Sequence, residues 1–438
     1  MTVIGPSLVN IAQSLGSTLA EVGWIMAIYA TGSLIAQPIA GRMSDVQGRR
    51  IVFVGALIVF TIGSIACALS TSLGWLIAGR VVQSLGAGGL QPAAIALIGQ
   101  RVPKERQSSA LYALYGMFAL AGALGAVLGG AIIDGGRALG STDVVSGALQ
   151  HELTLFPWHF IFWINIPIAL LALALALRLP ADAPVHDRFT IDAGALVLIP
   201  AVALCLMLAA NGSAVAAFAW LGGAFVLLAM LALWEKKTSA PLFDPSLFAM
   251  RGPVLLYLIA ALSGIPVFSV TMYSAAYYMA QFNASAAQAG LALLALALPL
   301  GAGQGFGSRL SKRVSARALL VSGLMGLAAG EFMLARAHTA LMVLFAFGII
   351  GFAIGLASAP PNILLLRYVT ENRSGAASGV LTMLSSTGAI TAPAAVSAFL
   401  HYSALPPAQS FRLEFLAGCV LAALAIPLAA GLPHAPKS

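Results

Sequence analysis

What this chain lacks most is charge. Only 8% of its 438 residues are Asp, Glu, Lys or Arg, against about 25% in an ordinary soluble domain. Carboxylates are the scarcer sign, 14 against 22 Lys and Arg, so chemistry built on acidic clusters has little to draw on. Cys67, Cys205 and Cys419 lie far apart, each inside an apolar stretch, which argues against disulfides and gives no metal-ligand spacing. No GxxxxGK[ST] loop cradles a nucleotide phosphate and no HExxH pair holds zinc. There is no Ser or Cys nucleophile with evident partners, no haem spacing, and no charged n-region before the first apolar stretch. An enzyme is not indicated and no cofactor is expected.

In place of charge the chain has hydrophobic residues, 60% of the total, and a mean hydropathy of +0.96. That composition describes an all-α polytopic membrane protein. Apolar stretches long enough to cross a bilayer, which takes about 20 residues, run at 21–41, 51–71, 73–99, 107–133, 157–178, 191–211, 215–235, 253–279, 284–308, 318–336, 339–366, 375–400 and 412–432. A shorter apolar fragment occupies 1–12.

The net charge of +8 does not point to nucleic acid. With the loop at 41–50 placed in the cytoplasm and sides alternating from there, eighteen Lys and Arg fall inside. Three fall outside, Arg137, Arg336 and Arg412, and Arg80 lies within a span. Basic residues concentrate on the cytoplasmic side of membrane proteins, so the basicity is topological.

The most informative string is that loop, GRMSDVQGRR from Gly41 to Arg50. Gly41 and Gly48 permit close approach or a sharp turn, and Asp45 suits a helix N-terminus or an Arg. The string resembles the signature loop after the second helix of major facilitator superfamily transporters, G-x-(L/M)-(A/S)-D-x-x-G-R-(R/K), at Gly41, Asp45, Gly48, Arg49 and Arg50. The resemblance implies a conformational latch on the cytoplasmic side, with Asp45 meeting the helix that begins near Gly375. It also implies two related halves. A shift of 267 residues lays the loop on SRLSKRVSAR, Ser308–Arg317, and KERQSSA at 104–110 on ENRSGAA at 371–377. Lys312 then stands opposite Asp45 and Ser315 opposite Gly48, so the second loop keeps the charge and loses the acid.

Two spans at 191–235 have no counterpart under that shift. The organisation reads as an N-terminal helix bundle at 1–178, two linker helices with a cytoplasmic loop at 179–252, and a C-terminal bundle at 253–438: two six-helix bundles plus two inserted helices. Fourteen spans are intended and thirteen are whole, because the shift would put the start of the first helix upstream of Met1. Either the true start lies upstream or the first helix is cut short.

Other motifs narrow the resemblance. Arg80-x-x-Gln83-x-x-Gly86-x-Gly88 is similar to the superfamily's fourth-helix motif, whose Arg is linked to proton transfer; an intramembrane Arg can also snorkel or pair for stability. AGALGAVLGG at 121–130 resembles the antiporter motif through Gly125, Gly129 and Gly130, with Ala126 in place of its Pro. FPWHFIFWINIPIA at 156–169 is similar to the start of the sixth helix in fourteen-span drug:proton antiporters of the EmrB/QacA type. That branch implies a bacterial inner-membrane exporter of small amphipathic compounds, driven by protons, with a periplasmic adaptor protein as a candidate partner.

Proton coupling needs a buried acid. Glu331 reads as the only carboxylate well within a span, with Arg336 as its bland alternative partner. For the substrate cavity, Tyr273, Tyr277 and Gln281 share one helix face, and the resemblance adds Trp24, Tyr29, Tyr112, Tyr115 and Asn165. Such aromatic side chains suit flat, greasy or cationic ligands. A metabolite or siderophore exporter of the same fold, and a non-transporting remnant, remain open alternatives.

Overall fold

The computed structural model describes residues 7–140, 147–180, 193–211, 214–235, 237–238, 245–284, 286–389, 391–392 and 407–433. Among them every regular element is a helix. In chain order these are α1 Leu8–Ser14, α2 Leu19–Gln47, α3 Arg49–Ala68, α4 Leu73–Arg101, α5 Lys104–Gly140, α6 Ala148–Leu155, α7 His159–Trp163, α8 Asn165–Leu177, α9 Ala193–Asn211 and α10 Ala214–Glu235. They continue as α11 Pro245–Ala249, α12 Arg251–Phe282, α13 Ala286–Leu310, α14 Ala316–Arg336, α15 Ala340–Ala357, α16 Pro360–Tyr368, a 3₁₀ turn Glu371–Arg373, α17 Ser374–Ser386 and α18 Pro407–Ala430. Eight helices among the described residues are long and apolar enough to cross a membrane. A helix covers each of the thirteen expected spans, at 375–400 only as far as described residues reach.

Local sequence explains where helices start. Thr18 and Glu21 form a reciprocal capping box at α2, and Ser72, Ser315 and Thr339 accept backbone N–H bonds at α4, α14 and α15. Gly48, at φ +100°, turns α2 into α3 with no further linker residue, a conformation that a side chain would strain.

Two expected spans are broken, and proline is the cause in both. The stretch 157–178 divides into α7 and α8, since the Pro167 ring confronts the carbonyl of Trp163 one turn back. Likewise 339–366 divides after Ala357, one turn before Pro361. Conversely α5 runs past Asp134, expected at a span end, to Gly140. There it is backed by α6, with Gly136 close to Pro157 and Leu153.

Glycines let the helices pack tightly. A Cβ at Gly63 would lie 2.2 Å from the Gln83 backbone, one at Gly86 2.3 Å from that of Phe60, and one at Gly351 2.1 Å from Leu296 O. Small residues at such crossings are how helices associate where lipid supplies no hydrophobic drive. Large apolar side chains that face outward, such as Ile51, Phe225 and Leu341, suit acyl chains. Helices α9 and α10 pack on each other and touch α2 through Ile199 and Leu231 against Ile35 and Ile39.

The repeat reappears in space. Gly41 on α2 abuts Gly375 and Gly379 on α17, and Gly307 on α13 abuts the ring of Tyr112 on α5. The offset of 267 carries Tyr112 onto Gly379, and Ala40, beside Gly41, onto Gly307. The two crossings between the halves are related places in the repeat, one closed by glycine on glycine and the other by a tyrosine on glycine.

Candidate functional site

The face bearing the basic loops is closed by a contact between α2 and α17. Asp45 Oδ1 accepts from Gly375 N–H at 2.8 Å and Oδ2 from Ala376 N–H at 2.7 Å. A carboxylate there meets two orphan donors and the positive end of the helix at once. Arg49, buried, lies 3.8 Å from Asp45 Oδ1. Its Nη1 reaches Glu371 Oε1 at 3.2 Å, while Nη2 donates to Ser374 Oγ at 3.1 Å and to the Glu371 carbonyl. Gly41 is necessary to this closeness, because a Cβ on it would stand 2.3 Å from Gly375 O. Deeper in, Gln37 Nε2 donates to Ser386 Oγ at 3.1 Å.

Arg50 behaves differently from its neighbour. It donates to the carbonyls of Ala176 at 3.3 Å and Leu177 at 2.7 Å, closing the C-terminus of α8 within its own half. The related loop at 308–317 makes no copy of the Asp45 contact, since Lys312 occupies that position. Arg317 donates instead to Leu432 O at 3.0 Å, inside the C-terminal half.

Arg80 is buried within α4, 2% exposed. Its guanidinium carbon lies 3.9 Å from the centroid of the Tyr29 ring, and Nη1 donates to Gln83 Oε1. Gln83 Nε2 donates on to Ser64 Oγ at 2.7 Å. Nε and Nη2 have no hydrogen-bond partner among the described residues, and no carboxylate there forms an ion pair with Arg80. The cation is held by a neutral amide and an aromatic face.

Glu331 is wholly buried in α14, and neither carboxyl oxygen has a hydrogen-bond partner among the described residues. Arg336 does not reach it and lies over the Phe332 ring, 5.6 Å from the centroid. Reading Glu331 as the only embedded carboxylate proves incomplete. Glu414 on α18 is 3% exposed and within charge–charge range of Glu331. The sequence hides it, since Arg412, two positions earlier, makes that stretch look interfacial. Asp192, at the start of another expected span, and Pro393, opposite Ala126 in the repeat, lie outside the described residues.

Between the halves, toward the C-terminal side, is a cavity of about 280 Å³. Gln91 and Tyr115 line it from the N-terminal half; Phe268, Leu324, Asn362 and Ser386 are among the lining residues from the other. Among the described residues no charged side chain lines it. Asn362 Nδ2 donates to Tyr115 Oη at 2.7 Å across the gap.

Of the eight side chains expected at the cavity, Tyr115 alone lines it. Tyr112 is a packing residue on Gly307, its hydroxyl donating to Leu356 O at 2.8 Å. Tyr277 is buried among Phe411 and Phe415 and bonds Leu334 O at 3.3 Å, with Tyr273 beside it against Phe411. Tyr29 belongs to Arg80. Trp24 is exposed, and Asn165 and Gln281 are partly buried, all away from the lining. Gly125, Gly129 and Gly130 share α5, the first two buried. Gln91, Asn362 and Ser386, which do matter to the cavity and the contact, carry no sequence signal beyond being polar residues in apolar spans.

A family model described as Major Facilitator Superfamily matches residues 1–267 and 256–438. The chain is 27% identical over 421 residues to the Uncharacterized MFS-type transporter YvkA of Bacillus subtilis, covering 92% of this chain and 88% of that protein. It is 27% identical over 365 residues to Multidrug resistance protein 3 of the same organism, covering 81% and 67%. To a Triacylglyceride transporter of Mycobacteroides abscessus it is 30% identical over 424 residues, covering 90% and 76%. Among solved structures, the FucP transporter in the outward conformation aligns at a TM-score of 0.67 with 16% identity, over 99% of this chain and 94% of that one, a likeness of fold. Matched along its whole length by the family model, this multi-pass membrane protein belongs to the Major Facilitator Superfamily.

Proposed function

We propose that the protein is a proton-coupled exporter of small amphipathic or hydrophobic compounds, of the multidrug type, working by alternating access in a bacterial cytoplasmic membrane. The observation that carries this reading is the uncharged cavity shared by the two halves. Its apolar walls with a few amide and hydroxyl groups suit a compound that is mostly greasy with one or two polar handles, and they offer no counter-charge for a dication. The relatives named for multidrug resistance support the same class.

In this scheme the bundles 1–178 and 253–438 rock about the cavity, with the linker helices at 179–252 beside them. Asp45, Arg49 and the glycines at 41 and 48 act as a latch that holds the cytoplasmic side shut, and Arg50 fixes the latch loop to α8. Arg80 with Gln83, and Glu331 on the other side, supply the charges that proton movement acts on. Gly125, Gly129 and Gly130 give α5 a smooth face for a neighbouring helix to slide against. No adaptor protein is needed by this cycle.

A lipid-like substrate is the second reading, favoured by the relative named as a triacylglyceride transporter. Whole cells producing the protein, loaded with an amphipathic fluorescent dye, test the class. Faster dye loss than from control cells, stopped by a protonophore, is expected. Dye loss equal to the control, with neutral lipid competing for binding to the purified protein, would favour the second reading.

A further inference from the structure

We propose that Glu331 and Glu414 form one proton-holding site inside the C-terminal half, with Ser269 as its anchor. That the site serves coupling rests on the exporter reading.

Three helices build it. Ser269 on α12 donates its hydroxyl to Glu414 Oε1 on α18. Glu414 Oε2 and both oxygens of Glu331 are buried without a partner among the described residues. Gly418, one turn beyond Glu414, makes the room: a Cβ there would stand 2.7 Å from Glu331 Oε2. The glycine thus lets a carboxyl from α14 press against α18 beside a second carboxyl.

Among the described residues no cation forms an ion pair with either carboxyl. On α12 the site faces Ser269 and the phenols Tyr273 and Tyr277; on α18 it faces Cys419. Arg412 bonds Ala337 O at 2.9 Å, meets His338 Nδ1 at 3.2 Å and also bonds the Tyr277 side chain, so it is the cation nearest the site; Arg336 lies over Phe332. From α15 come only apolar neighbours such as Phe347 and Ile350. Arg317 lies at the opposite, cytoplasmic end of α14, and Arg367 and Tyr368 end α16.

Two ionised carboxylates facing one apolar interior, with a single hydroxyl donor that serves Glu414, are far too costly to persist. One proton removes most of that cost. It neutralises one acid and relieves the repulsion felt by the other, so the two groups titrate as a coupled pair.

The position suits coupling. Glu331 is one helical turn beyond the cavity-lining Leu327, toward the outer end of α14, and Ser269 follows the cavity-lining Phe268. Movement of α12 or α14 with substrate changes the room around the carboxyls, and the outer loop carrying Arg336 and His338 is the short way to water.

The test is infrared titration of the full chain in lipid nanodiscs, following the protonated-carboxyl band in the wild type and in Glu331→Gln, Glu414→Gln and Ser269→Ala. The expected result is a band that titrates at lower pH in either glutamine variant, where the neighbouring like charge is gone, and at higher pH in Ser269→Ala, which removes the donor to the charged form and keeps both acids. A remaining carboxyl that titrates in each glutamine variant as it does in the wild type, in protein that still binds dye, would overturn the proposal. A Ser269→Ala titration identical to wild type would do so even if the glutamine variants fail to fold. The exporter reading fails separately, if dye movement ignores a protonophore while the shared band is present.

Discussion

The carboxylate of Asp45 and the backbone of Gly375 are 330 residues apart in the chain and 2.8 Å apart in the fold. A second N–H, from Ala376, completes a two-pronged grip at 2.7 Å. Each prong joins an ionised acceptor to a helix N-terminus, a contact of about 1.5–3 kcal/mol when a charged group is involved. In the proposed cycle a grip of this size is small enough to be released and strong enough to bias the cytoplasmic side shut.

Asp45→Asn keeps the shape and can accept with only one oxygen. It should reach the membrane in normal amounts, cut transport at least about tenfold, and expose Gln37→Cys to a cytoplasmic thiol reagent. The loss of one prong, at about 1.4 kcal/mol per factor of ten, sets that scale. Normal efflux by the variant would remove the latch from the account.

Glycine spacing makes an independent test of the same closure. Gly41→Ala drives a methyl to 2.3 Å from Gly375 O, whereas Gly55→Ala, on α3, meets nothing within 4 Å. The first change should favour the cytoplasm-open form and slow transport, at a cost of about 1–3 kcal/mol; the second should be silent. Distances between spin labels across the cytoplasmic face would register the difference. Equal effects of the two changes would mean the α2–α17 approach does not gate anything.

How much of this was legible in the sequence divides by range. The Asp45 loop and the spans are read from strings of ten to twenty residues, and helices stand where those strings put them. The breaks at Trp163 and Ala357 follow from prolines visible in the sequence, yet hydropathy alone reads across them. Aromatic residues at one face mislead, because Tyr277 inside a core and Tyr115 at a cavity look alike in one dimension. Glu414 was missed for a different reason: whether an acid near a span end meets water or another acid depends on α14, some eighty residues away.

Arg80 owes its solubility in the fold to neutral partners. Gln83→Leu preserves volume but strips the acceptor from the guanidinium, a loss of about 1.5–3 kcal/mol. Ser64→Ala removes only the outer link of the chain, about 1 kcal/mol. Thermal midpoints of the purified protein should therefore fall further for Gln83→Leu. If the two variants fall equally, the amide is not what holds Arg80.

The cavity polar groups should set preference and not fold. Asn362→Leu breaks the bond to Tyr115 and makes the wall more apolar. Apparent affinity for dyes with hydrogen-bonding groups should weaken by about tenfold, with purely apolar dyes unaffected or improved and the yield of protein unchanged. A uniform loss for every dye would place Asn362 in the closure of the halves and not in recognition.

The central claim is that outward movement of substrate and inward movement of protons are one cycle through this molecule. Proteoliposomes containing the purified chain, with an imposed pH gradient and simultaneous readouts of dye and internal pH, measure both at once. Dye should accumulate on the acidic side, added dye should accelerate dissipation of the gradient, and both effects should be greatly reduced in Asp45→Asn. Dye that equilibrates without reference to the gradient, or a gradient that decays at the same rate with and without dye, would contradict it.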